Sequence, residues 1–204
     1  MGENPRGFHT FLNTPWWSVG QTIPQMPGLR VNETATRARA GLLNMLSATT
    51  IALLVFAPQL DPVIYVGPYV IFDMFVAALF GLTPLCPTGV LGTLLTMRVR
   101  PVWKPARPKQ FAWTLGGSLG VVCLTMRLLN ADNLWIISVV AICFLLTWLE
   151  AVLGFCVGCW MHSKLFGCGV CDVPYRPGST RETSLSPERR RYELIASAAG
   201  TEQK

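Results

Sequence analysis

Charge is what this chain has least of. Only 14% of its 204 residues are Asp, Glu, Lys or Arg, against roughly a quarter in soluble domains. The charges fall between long apolar blocks, in a chain that is 51% hydrophobic. That excludes an ordinary soluble domain and marks membrane spans. No basic stripe with interleaved aromatics is present, so the net charge of +6 does not imply a nucleic-acid partner. Lysines and arginines beside apolar spans serve topology and anionic headgroups instead. Met1 to about Ala38 has no apolar leader run, and the seven cysteines are odd in number. Together these argue against a secreted, disulfide-stapled domain. Arg6 stands where a myristoylation signal after Gly2 needs Ser or Thr.

What is present divides the chain into five parts. Residues 1–39 form a polar, proline-punctuated N-terminal extension. Its Phe8, Phe11, Trp16 and Trp17 fit either an interfacial segment or an unstructured tail. Residues 40–97 hold a first hairpin unit, with spans at Ala40–Ala57 and Val63–Leu82 joined by a turn at Pro58–Pro62. The apolar stretch Gly81–Leu95 follows, broken by Pro84, Pro87, Gly89 and Gly92. At about 15 residues it falls short of the roughly 20 a span needs, so it reads as a short re-entrant or interfacial helix. Residues 98–110 are a basic loop carrying Arg98, Arg100, Lys104, Arg107 and Lys109 without an acid. Residues 111–171 form the second hairpin unit, with spans at Phe111–Leu129 and Leu134–Gly158 around the turn Asn130–Asn133. Residues 172–204 are a polar tail in which Ser186-Pro187-Glu188 opens a short surface helix to about Ala198.

The predicted fold is therefore an all-α integral membrane protein of four transmembrane helices. The two hairpins also read as a repeat. AALFGLTPLC and EAVLGFCVGC align at an offset of 73 residues, which matches Ala78 with Ala151, Gly81 with Gly154 and Cys86 with Cys159. An even number of spans separates the copies, so both cysteine ends belong at one membrane face. Basic residues crowd the segment before the first span, the central loop and the tail, and avoid both turns. The positive-inside rule then puts both termini and the loop on the cytoplasmic side. The sequon Asn32-Glu33-Thr34 falls on the wrong side for glycosylation.

Candidate chemistry gathers at that face. Cys156 and Cys159 form a C-x-x-C pair, and Cys168 and Cys171 form another. A thiolate beside a partner thiol can attack a disulfide or carry a persulfide that its neighbour resolves. That reading makes Cys156 and Cys159 the working pair and Cys86 a third thiol. Four thiolates also suit tetrahedral zinc or iron, with His162 as a spare ligand, so Cys156, Cys159, Cys168 and Cys171 are an alternative metal site. Cys123 and Cys143, in mid-span, read as packing residues. Asp73 and Glu150 are the acids within spans. Each costs about 3 kcal/mol near the bilayer centre, so each needs a polar partner or a proton, and Arg37 or Arg39 could supply the partner.

Asp73, the run Pro108-Lys109-Gln110-Phe111-Ala112 and the ending Gly154-Phe155-Cys156-Val157-Gly158-Cys159 resemble a bacterial four-span membrane family. That family is catalogued as domain of unknown function 4395, and the resemblance covers about Val31 to Phe166. Gly81-Leu82-Thr83-Pro84-Leu85-Cys86-Pro87 with Leu91-Gly92 is similar to the hairpin of small inner-membrane proteins attached to rhodanese domains. The resemblance implies thiol or sulfur handling with a soluble thiol or sulfurtransferase partner. The extensions and the extra Cys168/Cys171 pair depart from the family pattern. They fit the rival expectation, an accessory subunit of a larger membrane complex in which the cysteines hold a structural metal.

Overall fold

In a bilayer core no water satisfies backbone N–H and C=O groups, so the apolar blocks must close their hydrogen bonds within helices. The computed structural model describes residues 20–22 and 29–166 of the chain. The N-terminal aromatics, the tail helix and Cys168/Cys171 lie outside the described residues. Four helices are long and apolar enough to cross a membrane: α1 (Glu33–Phe56), α2 (Pro62–Phe80), α4 (Ala106–Leu128) and α5 (Asn133–Trp148), the last continuing to Leu153. The chain is a multi-pass helical membrane protein. Two shorter helices follow the second and fourth spans: α3 (Pro87–Leu95) and α6 (Val157–Phe166).

The long helices start earlier than hydropathy implies. α1 begins at Glu33, because Asn32 caps it: its side-chain oxygen accepts the N–H groups of Thr34 (3.0 Å) and Ala35 (3.4 Å). The residue that reads as a sequon is thus a helix cap. α4 begins at Ala106, so its first turn takes in part of the basic loop, and Trp103–Pro105 before it is a strand (β3). β3 pairs antiparallel with β2 (Leu29–Asn32), which pairs with β1 (Gln21–Thr22). The small sheet ties the starts of α1 and α4 together.

The fourth span does not run straight to its end. After Trp148 the backbone widens into a π-helical turn over Leu149–Leu153. It stops at Gly154, whose φ of +66° only glycine adopts without strain. Gly81, also at positive φ (+76°) but with an extended ψ of −159°, ends α2. The two glycines are 73 positions apart, as are Glu33 and Ala106, the first residues of α1 and α4. The strand register follows the same offset: Val31 pairs with Lys104, and the pairs Arg30–Pro105 and Asn32–Trp103 flank it.

Packing crosses between the hairpins. The arms of each hairpin touch little beyond their turn; α2 lies along α4, and α5 lies along α1. α3 packs on α1 and α6 on α4. α3 comes close enough that a Cβ on Gly92 would lie 2.7 Å from the Ala35 carbonyl oxygen. One apolar cluster, including Leu43, Met74, Ala77 and Trp113, sits towards the sheet. A second, with Leu54, Val63, Cys123 and Ile136, sits towards the turns. At the turn end Arg127 Nε donates to both Asp61 carboxylate oxygens, at 2.8 and 2.7 Å.

The connectivity fixes which loops share a side. Reporters inserted at Asp61 and Ala131 should be accessible from one side of the membrane, and a reporter at Lys164 from the other. Placement of the Asp61 and Lys164 reporters on one side would overturn the four-span topology.

Candidate functional site

Near the sheet end, each charged side chain that enters the bundle meets a partner. Arg39, on α1, is buried and reaches Asp73, on α2, with Nη2 2.7 Å from Oδ2. Asp73 has no solvent exposure. Its remaining valence is filled from the start of α3: the Thr88 N–H donates to Oδ1 at 3.0 Å, the Thr88 hydroxyl donates to Oδ2, and the Cys86 thiol donates to Oδ1 at 3.3 Å. Arg39 Nε in turn donates to the Thr88 hydroxyl oxygen at 3.0 Å, and its guanidinium lies 5.5 Å from the centre of the Trp113 ring. Burial pushes the Cys86 thiol up. Cys86 therefore stays a neutral donor to the carboxylate.

A second set spans the two units. Lys109, in the first turn of α4, is buried and pairs with two carboxylates. Its Nζ lies 2.9 Å from Glu33 Oε2, an ion pair rather than an aligned hydrogen bond, and it donates to Glu150 Oε1. Lys104 pairs with the other Glu33 oxygen at 3.0 Å. Glu33 also stands in the first turn of α1, where the exposed N–H groups favour a negative charge.

The cysteine pair follows the broken end of the fourth span. Arg37 stabilises that end by donating from Nη2 to the carbonyls of Ala151 (3.1 Å) and Val152 (2.9 Å), which the π-helical turn leaves open. Gln110, 73 positions on, donates to the Ala78 carbonyl at 3.1 Å. After Gly154 the chain turns into α6, and Cys156 occupies the cap position. Its carbonyl accepts the Trp160 N–H at 3.0 Å, and its sulfur accepts the Cys159 N–H at 3.4 Å. Sulfur thus does here what a Ser or Asp oxygen does at an ordinary cap.

A thiol hydrogen bond from Cys159 holds the Cys156 thiol below its usual value, and the Lys109 charge and the Cys159 N–H add to this. Cys159 is pushed the other way, because it donates to Cys156 and is itself poorly hydrated. The two thiols are thus shifted in opposite directions. Both are free and half-buried.

These contacts account for the two sequence motifs together. A Cβ on Gly158 would lie 2.6 Å from Ala112 Cβ and 2.7 Å from its Cα, so only glycine lets α6 dock there. Phe111 meets His162 and Phe166 edge-on, with ring centres 5.6 and 6.2 Å away. The Lys109-Gln110-Phe111-Ala112 run is the seat, and the Cys156-Val157-Gly158-Cys159 run is what sits on it. Phe155, exposed, has no role that the structure explains.

Between the two ion sets lies a cavity of about 130 Å³. Its walls include Arg39, Trp113, Leu146, Glu150, Cys156 and Met161. The structure therefore brings Cys156 and Glu150 together at one chamber, with Cys159 hydrogen-bonded to Cys156. Cys86 belongs to the Asp73 set and does not line the chamber. Asp73 finds Arg39, as one of the two arginines considered from sequence, whereas Glu150 finds Lys109 and not an arginine. Cys123 and Cys143 lie in mid-bundle beside a smaller apolar cavity of about 70 Å³. Among the described residues no three His, Cys, Asp or Glu side chains are grouped to hold a metal ion. The sequence reading missed Glu33, Lys109, Thr88 and Trp113 as site residues. The only signal for Lys109 was its place in the Pro108–Ala112 run.

A family model described as Domain of unknown function (DUF4395) matches residues 31–166. No curated protein and no solved structure matches the chain.

The buried pair should show itself through its asymmetry. Asp73→Leu strands the Arg39 charge and should cost about 3–5 kcal/mol. Arg39→Met combined with Asp73→Leu should recover much of that. Denaturant unfolding in mixed micelles measures both single variants and the double; a loss in the double equal to the sum of the two single losses would show that the pair is not coupled.

Proposed function

Because the chain belongs to the DUF4395 family, and both of its motifs meet at the cysteine chamber, we propose that it is a membrane-embedded thiol redox or sulfur-relay component. Cys156 is the attacking thiolate and Cys159 the resolving thiol. The observation that carries this reading is the cap geometry: the Cys156 sulfur receives the Cys159 N–H at the start of α6, beside the buried Lys109. A thiolate so placed is favoured by the amide dipoles and by the nearby cation.

In a reaction with a partner disulfide, Cys156 attacks one sulfur, a mixed disulfide forms and the first partner thiolate leaves. Cys159 then loses its proton and attacks Cys156. The mixed disulfide breaks, the second partner thiolate leaves and the Cys156–Cys159 disulfide remains. The partner gains two electrons and the pair loses two. In the relay form a persulfide donor passes its outer sulfur to Cys156, and a partner thiol removes it.

The same reading takes the 73-residue recurrence as two copies of one unit and places the sheet end on the cytoplasmic side. Arg98, Arg100, Lys104 and Arg107 crowd that end, which supports this orientation. A soluble thiol or sulfurtransferase protein is then the partner with access.

Alkylation against pH tests the assignment. Cys156 should react with its inflection below the ordinary thiol value of about 8.5, and Cys159 should lag. Cys159→Ala removes the first of the forces that lower the Cys156 value, so its inflection should move to higher pH. Lys109→Met should move it in the same direction. An unchanged profile in both variants would refute the thiolate assignment. If replacement of Cys168 and Cys171 by Ser released zinc or iron and unfolded the protein, the metal-holding subunit would be the better reading.

A further inference from the structure

The chamber has a feature that exchange with an aqueous partner does not use: part of its wall comes from the membrane-spanning helices α4 and α5. α4 and α5 are consecutive, yet they pack on each other only sparsely. At the cysteine end the chamber fills the gap between them. Leu115 and Gly116 of α4 and Leu146 and Thr147 of α5 line it and are half-buried. All four lie within segments able to cross a membrane. Surface of those segments that protein leaves uncovered faces lipid in a bilayer, which is the route a lipid-soluble molecule would use.

We propose that this chamber takes the ring of a membrane-soluble quinone, which accepts the two electrons of the Cys156–Cys159 dithiol; the proposal rests on the thiol-exchange reading above. Size is the first argument. An apolar cavity of about 150 Å³ holds one benzene ring, so at about 130 Å³ this one seats the reacting edge of a ring, and the ring substituents and chain stay outside it between α4 and α5. Wall chemistry is the second. Trp113, Leu146 and Met161 offer an aromatic and apolar lining, and Arg39 adds one strong donor. Arg39 uses Nε and Nη2 towards Thr88, Asp73 and Met74; Nη1 takes no part in those bonds. Guanidinium N–H groups suit a carbonyl oxygen that becomes negative on reduction. The hydroxyl protons of Thr36 and Thr147 are directed to the Asn32 and Cys143 carbonyls, at 2.9 Å each, so they do not compete as donors. The third argument is balance. A dithiol gives up two electrons together, and a quinone is the neutral, lipid-soluble class that accepts two.

The electrons and protons close. The Cys156 thiolate adds to a ring carbon, and the displaced electron pair moves to a ring oxygen, which takes a proton. Cys159 loses its proton and attacks the Cys156 sulfur. The S–S bond forms and the C–S bond breaks, leaving its pair on the ring, and the second oxygen is protonated. Two thiols become a disulfide, a quinone becomes a quinol, and the two protons the thiols release equal the two the oxygens gain.

The test uses the full chain, reduced and oxygen-free, in lipid nanodiscs. The probe is a fully substituted benzoquinone with a decyl chain, which resists stable thiol adducts. Loss of quinone absorbance should match formation of the Cys156–Cys159 disulfide, one to one, by mass spectrometry. Gly116→Leu puts side chain into the chamber, where its Cβ meets only the flexible Met74 thioether at 3.4 Å. It should slow quinone reduction at least about tenfold, the scale of one lost contact, and leave exchange with an aqueous aryl disulfide unchanged. Leu146→Trp fills the same space from α5 and serves if the first variant does not fold. If quinone is not reduced while the aqueous disulfide still exchanges, the quinone site is wrong and the exchange reading stands. If neither reacts, both fall. Equal quinone rates in wild-type and filled-chamber variants would place the reaction outside the chamber and overturn the proposal.

Discussion

A membrane interior gives a charged side chain no water, and much of the sheet end of this molecule follows from that constraint. Arg39 and Asp73 neutralise each other between α1 and α2, and Lys109 at the start of α4 gathers Glu33 of α1 and Glu150 of the fourth span. Each pair dictates where helices touch. Arg39 must reach α2, which draws α3 in until Gly92 lies against the Ala35 backbone. Lys109 must reach the end of the fourth span, which keeps Glu150 at the start of α4 and brings the cysteines with it. The price of isolating such charges is high, so these contacts fix one arrangement more firmly than apolar packing alone would.

The placement of the cysteine pair follows from how the fourth span ends. A helix that ran straight through Gly154 would carry Cys156 and Cys159 as two ordinary surface thiols. The π-helical turn and the left-handed glycine instead start a new helix at Cys156, so its sulfur is used as a cap. Widened turns of this kind often mark functional sites. Here the turn has a definite structural effect: it puts Cys156 at the cap of α6 and Cys159 within that helix.

The four spans and their turns were legible in the sequence, because hydropathy blocks and tight turns are local signals. Helix starts were not. Hydropathy places the first span at Ala40, whereas α1 begins at Glu33, because Asn32 caps it and because Glu33 and Arg39 find partners that no local window shows. Lys109 read as part of a basic loop for the same reason: a lysine looks solvated until two carboxylates from elsewhere in the chain surround it. Asp73 and Glu150 were correctly singled out as groups in need of partners, but sequence order could not say which cation belongs to which acid. The crossed packing, α2 on α4 and α5 on α1, was also beyond reach, since a short turn fixes direction and not the neighbour. Cys86, matched to Cys159 by the 73-residue offset, turns out to spend its proton on Asp73.

The crossed packing has a consequence for how the protein is made. The first hairpin leaves the ribosome with Arg39 and Asp73 already able to pair, whereas Glu33 and Asp61 meet Lys104, Lys109 and Arg127 only later. Its apolar faces do wait. α2 is covered chiefly by α4 and α1 chiefly by α5, and neither cover exists until the second unit has been translated. In the interval the newborn hairpin has its innermost ion pair closed but its helix faces open, with lipid or an insertion factor standing in for helices that arrive later. The pairs of Glu33 with Lys104 and Lys109 and of Asp61 with Arg127 close with those helices, and the antiparallel strands at Val31 and Lys104 join the starts of α1 and α4.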